Sequence, residues 1–282
     1  MLCAVACFPL MQSCVKELVT HHDMSFVQAI WGRYFFHLLL VPLFFPRTLT
    51  TIRDGHHRRI QVIRGLVLFV STGFSFLGLR FVPLPEFTAL TFIAPVIVTI
   101  LAALFLHETV GWRRWLAVVI GIVGALVIIR PDVQLEWTVL LPVGMATTYA
   151  IYQVLTRMVG VHASPHESLF YTALVGAAAA SVMVPLVWVW PSATGWMLLV
   201  GSALAAALGH WCMIMAYGRA EASFIAPFAY TELIWATLLG ITLFGEIPTT
   251  STWIGAGIIV ISGLWIGLRT NQQPNKRRLK AD

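Results

Sequence analysis

The chain carries one pattern twice. A single offset of 138 residues, with no gap, pairs Thr99 with Thr237, Leu101 with Leu239, Glu108 with Glu246, Trp115 with Trp253 and Ile120 with Ile258. Leucine and isoleucine matches are common in apolar sequence. A glutamate followed seven residues later by a tryptophan, in both copies, is not. If each copy holds an odd number of membrane spans, the second copy is upside down relative to the first. That is the architecture of a transporter built on inverted repeats.

The solvent follows from composition. Apolar residues make up 59% of the 282 and charged residues only 11%, against roughly 25% charged in average globular chains. A soluble fold of this size cannot hide that much apolar surface, whereas a bilayer accepts it on the outside. Apolar runs of about 20 residues, the length needed to cross, predict ten helices at 2–19, 26–45, 61–82, 86–106, 112–129, 136–157, 167–190, 196–217, 223–244 and 251–268. Turn-like connections at Val82-Pro83-Leu84-Pro85 and Pro191-Ser192-Ala193-Thr194 make their flanking helices antiparallel. The expected fold is an all-α integral membrane protein of ten transmembrane helices in two inverted five-helix repeats. The first repeat takes residues 1–131, the second 132–270, and a basic tail 271–282; the seam is the polar stretch Arg130–Glu136 with its helix-stopping Pro131.

The net charge of +6 is spread over segment ends, as lipid headgroups and cytoplasmic loops require, and not gathered into a patch for nucleic acid. With the N-terminus in the cytoplasm and span-end residues counted with the connection they adjoin, 13 of the 18 basic residues fall on inside connections and the tail, 2 on outside ones, and Lys16, Arg33 and Arg64 deeper within spans, so both termini are expected inside. The opening segment has neither a basic leader nor a small-residue cleavage site and reads as a first span. Cys3, Cys7, Cys14 and Cys212 sit in apolar segments without a CxxC, as small packing residues. His21-His22-Asp23 and His56-His57 lie in loops at spacings that assemble no metal site. No nucleotide-binding motif occurs, and no cofactor is expected.

Phe92-Ile93-Ala94-Pro95-Val96, Leu106-His107-Glu108-Thr109-Val110-Gly111-Trp112-Arg113-Arg114-Trp115, Gly121-Ile122-Val123-Gly124 and Ile129-Arg130-Pro131, with Leu79–Pro83 upstream, resemble the drug/metabolite transporter superfamily and its EamA-like family. The run from Glu108 to Trp115 is similar to the branch near S-adenosylmethionine carriers, with riboflavin importers a looser comparison. The resemblance covers the whole chain but is weaker in the second copy, where Leu233 stands opposite Pro95. It implies ten helices around a central substrate cavity. It does not imply a substrate.

Ionisable groups inside a membrane are costly and so are functional candidates. Glu232 falls about ten residues into the ninth expected span, near the midplane. A lone carboxylate there is protonated, paired or in contact with water; it recognises a cation, takes up a coupling proton, or bonds neighbouring helices as a neutral acid. His210, beside Trp211, is either a proton-coupling group or a packing histidine, and His37 reads as packing. Lys16, Glu17 and Arg33 lie toward the outer ends of the first two spans, where Glu17 can pair with Arg33 or Lys16 as a charged gate, an anion contact or a structural pair. Arg64 reads as snorkelling to the interface. Tyr149, Tyr152 and Gln153 share one helical neighbourhood, and Tyr230 and Trp235 flank Glu232. Such walls suit a planar or cationic solute, or simply pack helices. Trp112, Trp137, Trp190, Trp196 and Trp253 belong to interfacial belts. Glu108 and Glu246 end spans and are expected to accept backbone N–H bonds at the next helix start.

The sequence therefore predicts a non-enzymatic secondary carrier of a small organic metabolite. It works by alternating access around a midplane cavity, driven by a proton gradient or by exchange, and lies in a bacterial inner membrane. The alternatives are an exporter of amino acids or drugs and, more remotely, an intramembrane enzyme or a channel.

Overall fold

The computed structural model describes residues 2–44, 58–105, 112–129, 136–159, 165–217 and 231–270, and all regular structure among them is helical. The helices are α1 (Leu2–His21), α2 (Phe26–Phe44), α3 (Arg58–Gly78), α4 (Leu84–Thr91), α5 (Ala94–Phe105), α6 (Trp112–Ile129), α7 (Leu140–Val159), α8 (Pro165–Met183), α9 (Ala193–Tyr217), α10 (Glu232–Phe244) and α11 (Thr250–Thr270). Seven spans among the described residues are long and apolar enough to cross a membrane, with α4 and α5 together forming one of them. The shorter apolar helices Val118–Ile129, Glu232–Phe244 and Thr250–Ser262 bring the number to ten. Arg130–Pro131 in the expected seam and the tail after residue 270 lie outside the described residues.

The offset read from the sequence reappears in the helix limits. Adding 138 carries the start and end of α1 onto those of α7, the start of α5 onto that of α10, and the start of α6 onto that of α11. The packing obeys the same exchange: α1 lies on α9 as α7 lies on α3, α2 on α9 as α8 on α3, and α1 on α10 as α7 on α5, while α2 meets its own counterpart α8 and α6 meets α11. Each half thus closes on the other. With five spans per half, the operation that exchanges them inverts one relative to the membrane.

Two expected helices are cut short by proline. The fourth span is not continuous: residues 92 and 93 turn, and α5 restarts with Pro95 as its second residue. There the missing N–H is no loss, whereas inside a helix its ring would press on a carbonyl one turn back. The seventh span ends at Met183 and not near 190, because Pro185 lets the chain continue only as a short 3-10 turn, Val184–Leu186.

The helix surfaces match lipid. Along α6, Trp115, Leu116, Val119, Ile122, Val123 and Leu126 are exposed, an apolar face that water would penalise. Trp112, Trp137, Trp190 and Trp253 are exposed at span ends, as the interfacial belt requires. Trp196 departs from that expectation, packing against Phe36 and Trp188.

The halves meet closely at a glycine crossing. A Cβ on Gly255 of α11 would lie 2.5 Å from the carbonyl oxygen of Gly124 on α6, so only two glycines let these backbones meet. Gly255→Val is therefore expected to cost roughly 1–3 kcal/mol as overpacking, seen as a lower melting temperature and lower yield of monodisperse protein. Gly257→Ala, two residues away and facing open space, should leave both unchanged; equal effects from the two would show that the crossing is not tight.

Candidate functional site

Three polar assemblies lie one below another between the halves. The first is near the membrane face where α1 ends and α2 begins. At the end of α10, Gly245 adopts a left-handed conformation (φ 67°), which non-glycine side chains avoid. The N–H groups of Gly245 and Glu246 return to the carbonyls of Ile241 and Gly240, closing the helix as a Schellman cap. This turn aims Glu246 across the boundary between the halves. One carboxylate oxygen pairs with Lys16 Nζ of α1, and the other accepts the N–H of Leu84 at 2.8 Å, the first residue of α4. Lys16 also donates to the Val82 carbonyl at 3.2 Å and lies 5.3 Å from the Phe244 ring centre. Glu246 does cap a helix start, as the sequence suggests, but that of α4 and not of the helix following it. Beside it, Glu86 of α4 accepts the Thr252 hydroxyl of α11 at 3.2 Å, a second bond between halves.

The second assembly lies toward the opposite face. Arg64 does not snorkel: it is 1% exposed. Its guanidinium donates to the Ser168 carbonyl at 2.5 Å, to Thr172 at 3.1 Å and to Thr156 at 3.4 Å, and lies over the Tyr152 ring at 5.4 Å. One turn away, Gln61 donates to the Ser168 hydroxyl at 3.2 Å. One cation of the first half thus grips α7 and α8 of the second. A signal for it was present. Gln61, Arg64, Ser71, Thr72 and Ser75 recur at helical spacing on the buried face of α3, a polar stripe that lipid does not tolerate on its own side.

Between these clamps lies Arg33, eight residues into α2 and so about 10 Å from that helix's start. It is 7% exposed. It donates to the Thr72 hydroxyl at 3.0 Å and stands 5.2 and 5.6 Å from the ring centres of Tyr34 and Phe76. Tyr34 hydrogen-bonds Thr72 at 2.8 Å, and its ring occupies the space a Cβ on Gly176 of α8 would need, so it too lies against the other half. One turn deeper, His37 faces His210 of α9 with ring centres 6.1 Å apart. His210 bonds the Ala206 carbonyl at 2.8 Å and meets the Phe8 edge at 5.1 Å. The Arg33 charge reaches both imidazoles. Helices α1, α2, α3 and α9 converge here.

The remaining candidates fall elsewhere. Lys16 pairs with Glu246, and Glu17 bonds His21 at 3.0 Å on the surface; neither pairs with Arg33. Tyr149 and Tyr152 stack at 5.8 Å on α7, half-buried like Gln153, with Tyr152 bridging toward Arg64. Trp211 and Trp235 are each 40% exposed and do not join the central group. Glu232 is half-buried and opens α10, at the position matching Ala94, which opens α5. It therefore stands at a helix N-terminus, where the dipole favours a carboxylate, and not in mid-helix. Tyr230 and Glu108 lie outside the described residues.

The sequence profile of the EamA-like transporter family matches residues 1–130 and 136–268. A riboflavin transporter of Vibrio cholerae is 35% identical over 66% of this chain and 63% of its own length, a little under two thirds of that protein. An S-adenosylmethionine uptake transporter of Rickettsia felis is 29% identical over 86% of this chain and 82% of its own. A solved crystal structure superposes with a TM-score of 0.63 over 96% of this chain and 99% of its own, at 15% identity, a likeness of fold alone.

The Lys16–Glu246 pair is buried enough that each charge needs the other. Lys16→Met or Glu246→Gln alone should lower stability by about 3 kcal/mol, since each leaves an uncompensated charge. The double variant should lose less than the two singles together, with a coupling of roughly 1–3 kcal/mol in a thermal-unfolding cycle. Strict additivity would remove the pair as a tie between halves.

Proposed function

The chain belongs to the EamA-like transporter family, and from that membership we propose a secondary carrier that moves a small organic metabolite by alternating access. The observation that carries this reading is the placement of the two clamps. Lys16–Glu246–Leu84 and Arg64–Ser168–Thr172 join the same two halves near opposite membrane faces, with the Arg33 group between them. Rocking the halves about the glycine crossing of α6 and α11 would open either clamp while the other holds. Access would then alternate between faces, as inverted repeats allow.

The cargo class follows from the relatives. Proteins similar to this one are named for S-adenosylmethionine and riboflavin, each of which carries a planar, nitrogen-rich ring system, and Tyr149 with Tyr152 supplies a stacked aromatic wall. We assign the coupling, proton symport or exchange, to Glu232 and to the His37–His210 pair. The α1–α2 face is external on this reading, with both termini in the cytoplasm, as the 13-to-2 distribution of basic residues favours.

The deciding measurement is counterflow in proteoliposomes. Labelled S-adenosylmethionine or riboflavin should accumulate against unlabelled solute without added nucleotide, whereas an ohmic current would mark a channel. Glu232→Gln should lower proton-driven uptake at least tenfold with folded yield unchanged; uptake at the wild-type level would take Glu232 out of the coupling. A cysteine introduced at position 50 should resist impermeant maleimide in intact cells, and ready labelling would invert the assigned orientation.

A further inference from the structure

Arg33 has a charge that nothing described around it answers. Its side chain is nine-tenths buried, and its Nε meets no hydrogen-bond acceptor. Its described contacts are a hydroxyl and two aromatic rings. The ion pairs among the described residues use Lys16, Glu246, Glu17 and His21. The two nearby imidazoles bring no negative charge, and the N–H of His210 is already taken by the Ala206 carbonyl. Arg64 makes the contrast. That guanidinium is as deeply buried and its Nε is likewise without an acceptor, but its two terminal nitrogens are engaged by a backbone carbonyl and two threonine hydroxyls of the other half, where Arg33 has one hydroxyl.

A cation removed from water is strongly disfavoured unless it is paired, and a guanidinium is shaped to hold two oxygens of one oxyanion. Arg33 lies between the two clamps, at the level a carried solute must pass. Resting on the carrier reading above, we propose that Arg33, positioned by Thr72 and Tyr34, is an anion subsite for an oxyanion group of the cargo, a carboxylate or a phosphate. His37 adds a donor one turn deeper, while the N–H of His210 is taken by the Ala206 carbonyl. The counter-ion of Arg33 then arrives with the solute. An uncharged solute would leave the guanidinium unanswered, so the cargo is an organic acid or a zwitterion and not a neutral ring system.

Two matched pairs test this on the purified full-length protein: S-adenosylmethionine against its decarboxylated form, and flavin mononucleotide against riboflavin. Members of a pair differ in one oxyanion, a carboxylate in the first and a phosphate in the second. The oxyanion member of at least one pair is expected to bind tenfold or more tightly, and the responding pair identifies the group. Arg33→Gln should erase that preference and Arg33→Lys should keep a fraction of it, as a point charge without the planar fork. Equal affinities within both pairs, no binding by any of the four, or a preference that survives Arg33→Gln overturns the assignment. The wild-type comparison decides the matter even where Arg33→Gln does not fold. Counterflow keeps the two readings apart: exchange of riboflavin without any preference leaves a carrier lacking this subsite, whereas absence of exchange for all four solutes removes the carrier with it.

Discussion

A charge held away from water must be answered by another group, and for Lys16, Glu246 and Arg64 the answer comes from the opposite half. Glu246 shows how much hangs on that. Its two carboxylate oxygens take a lysine from α1 and the first N–H of α4, so a single side chain joins the end of the ninth span to two helices of the first half. The carboxylate reaches them because a left-handed glycine turns the chain back at the end of α10. Local backbone geometry, a helix start and the interface between halves are satisfied together.

The same constraint explains why the interior is polar where it is. Lipid cannot hydrogen-bond, so polar side chains in the spans must face one another. Arg64 and Gln61 on α3, Ser168 and Thr172 on α8, and Thr156 on α7 satisfy that demand near one face, as Lys16 and Glu246 do near the other. The contacts reach between halves and depend on few atoms. Such ties hold a conformation yet separate without unfolding a core, which the proposed alternation between two sides requires. The apolar packing around Leu90, Ala125, Leu233 and Ile259, and the glycine contact of Gly124 with Gly255, is close and shape-dependent, and so suits a pivot.

The sequence was most legible where a rule acts locally. Span number and the repeat offset of 138 both come from properties of a residue and its near neighbours. It was least legible for pairing. Lys16 and Glu246 are 230 residues apart, and along the chain Lys16 has nearer charged companions in Glu17 and Arg33. Arg64 looked like a snorkelling residue because its distance from the span end is the same whether it points to headgroups or inward. Only the recurrence of Gln61, Ser71, Thr72 and Ser75 along the same helix face distinguished the two, and that pattern has meaning only once the stripe is seen to face protein.

By itself, the sequence determined the solvent, the number of spans and the duplication, because hydrophobic length and periodicity are counted along the chain. Tertiary structure alone decided which charges are answered and which are not. Aromatic rings near Glu232, such as Trp235, turned outward, while Arg33, Tyr34 and Thr72 came together between the halves. Burial and counter-ions are properties of neighbours in space, and two inverted bundles bring together residues that no spacing in the chain relates.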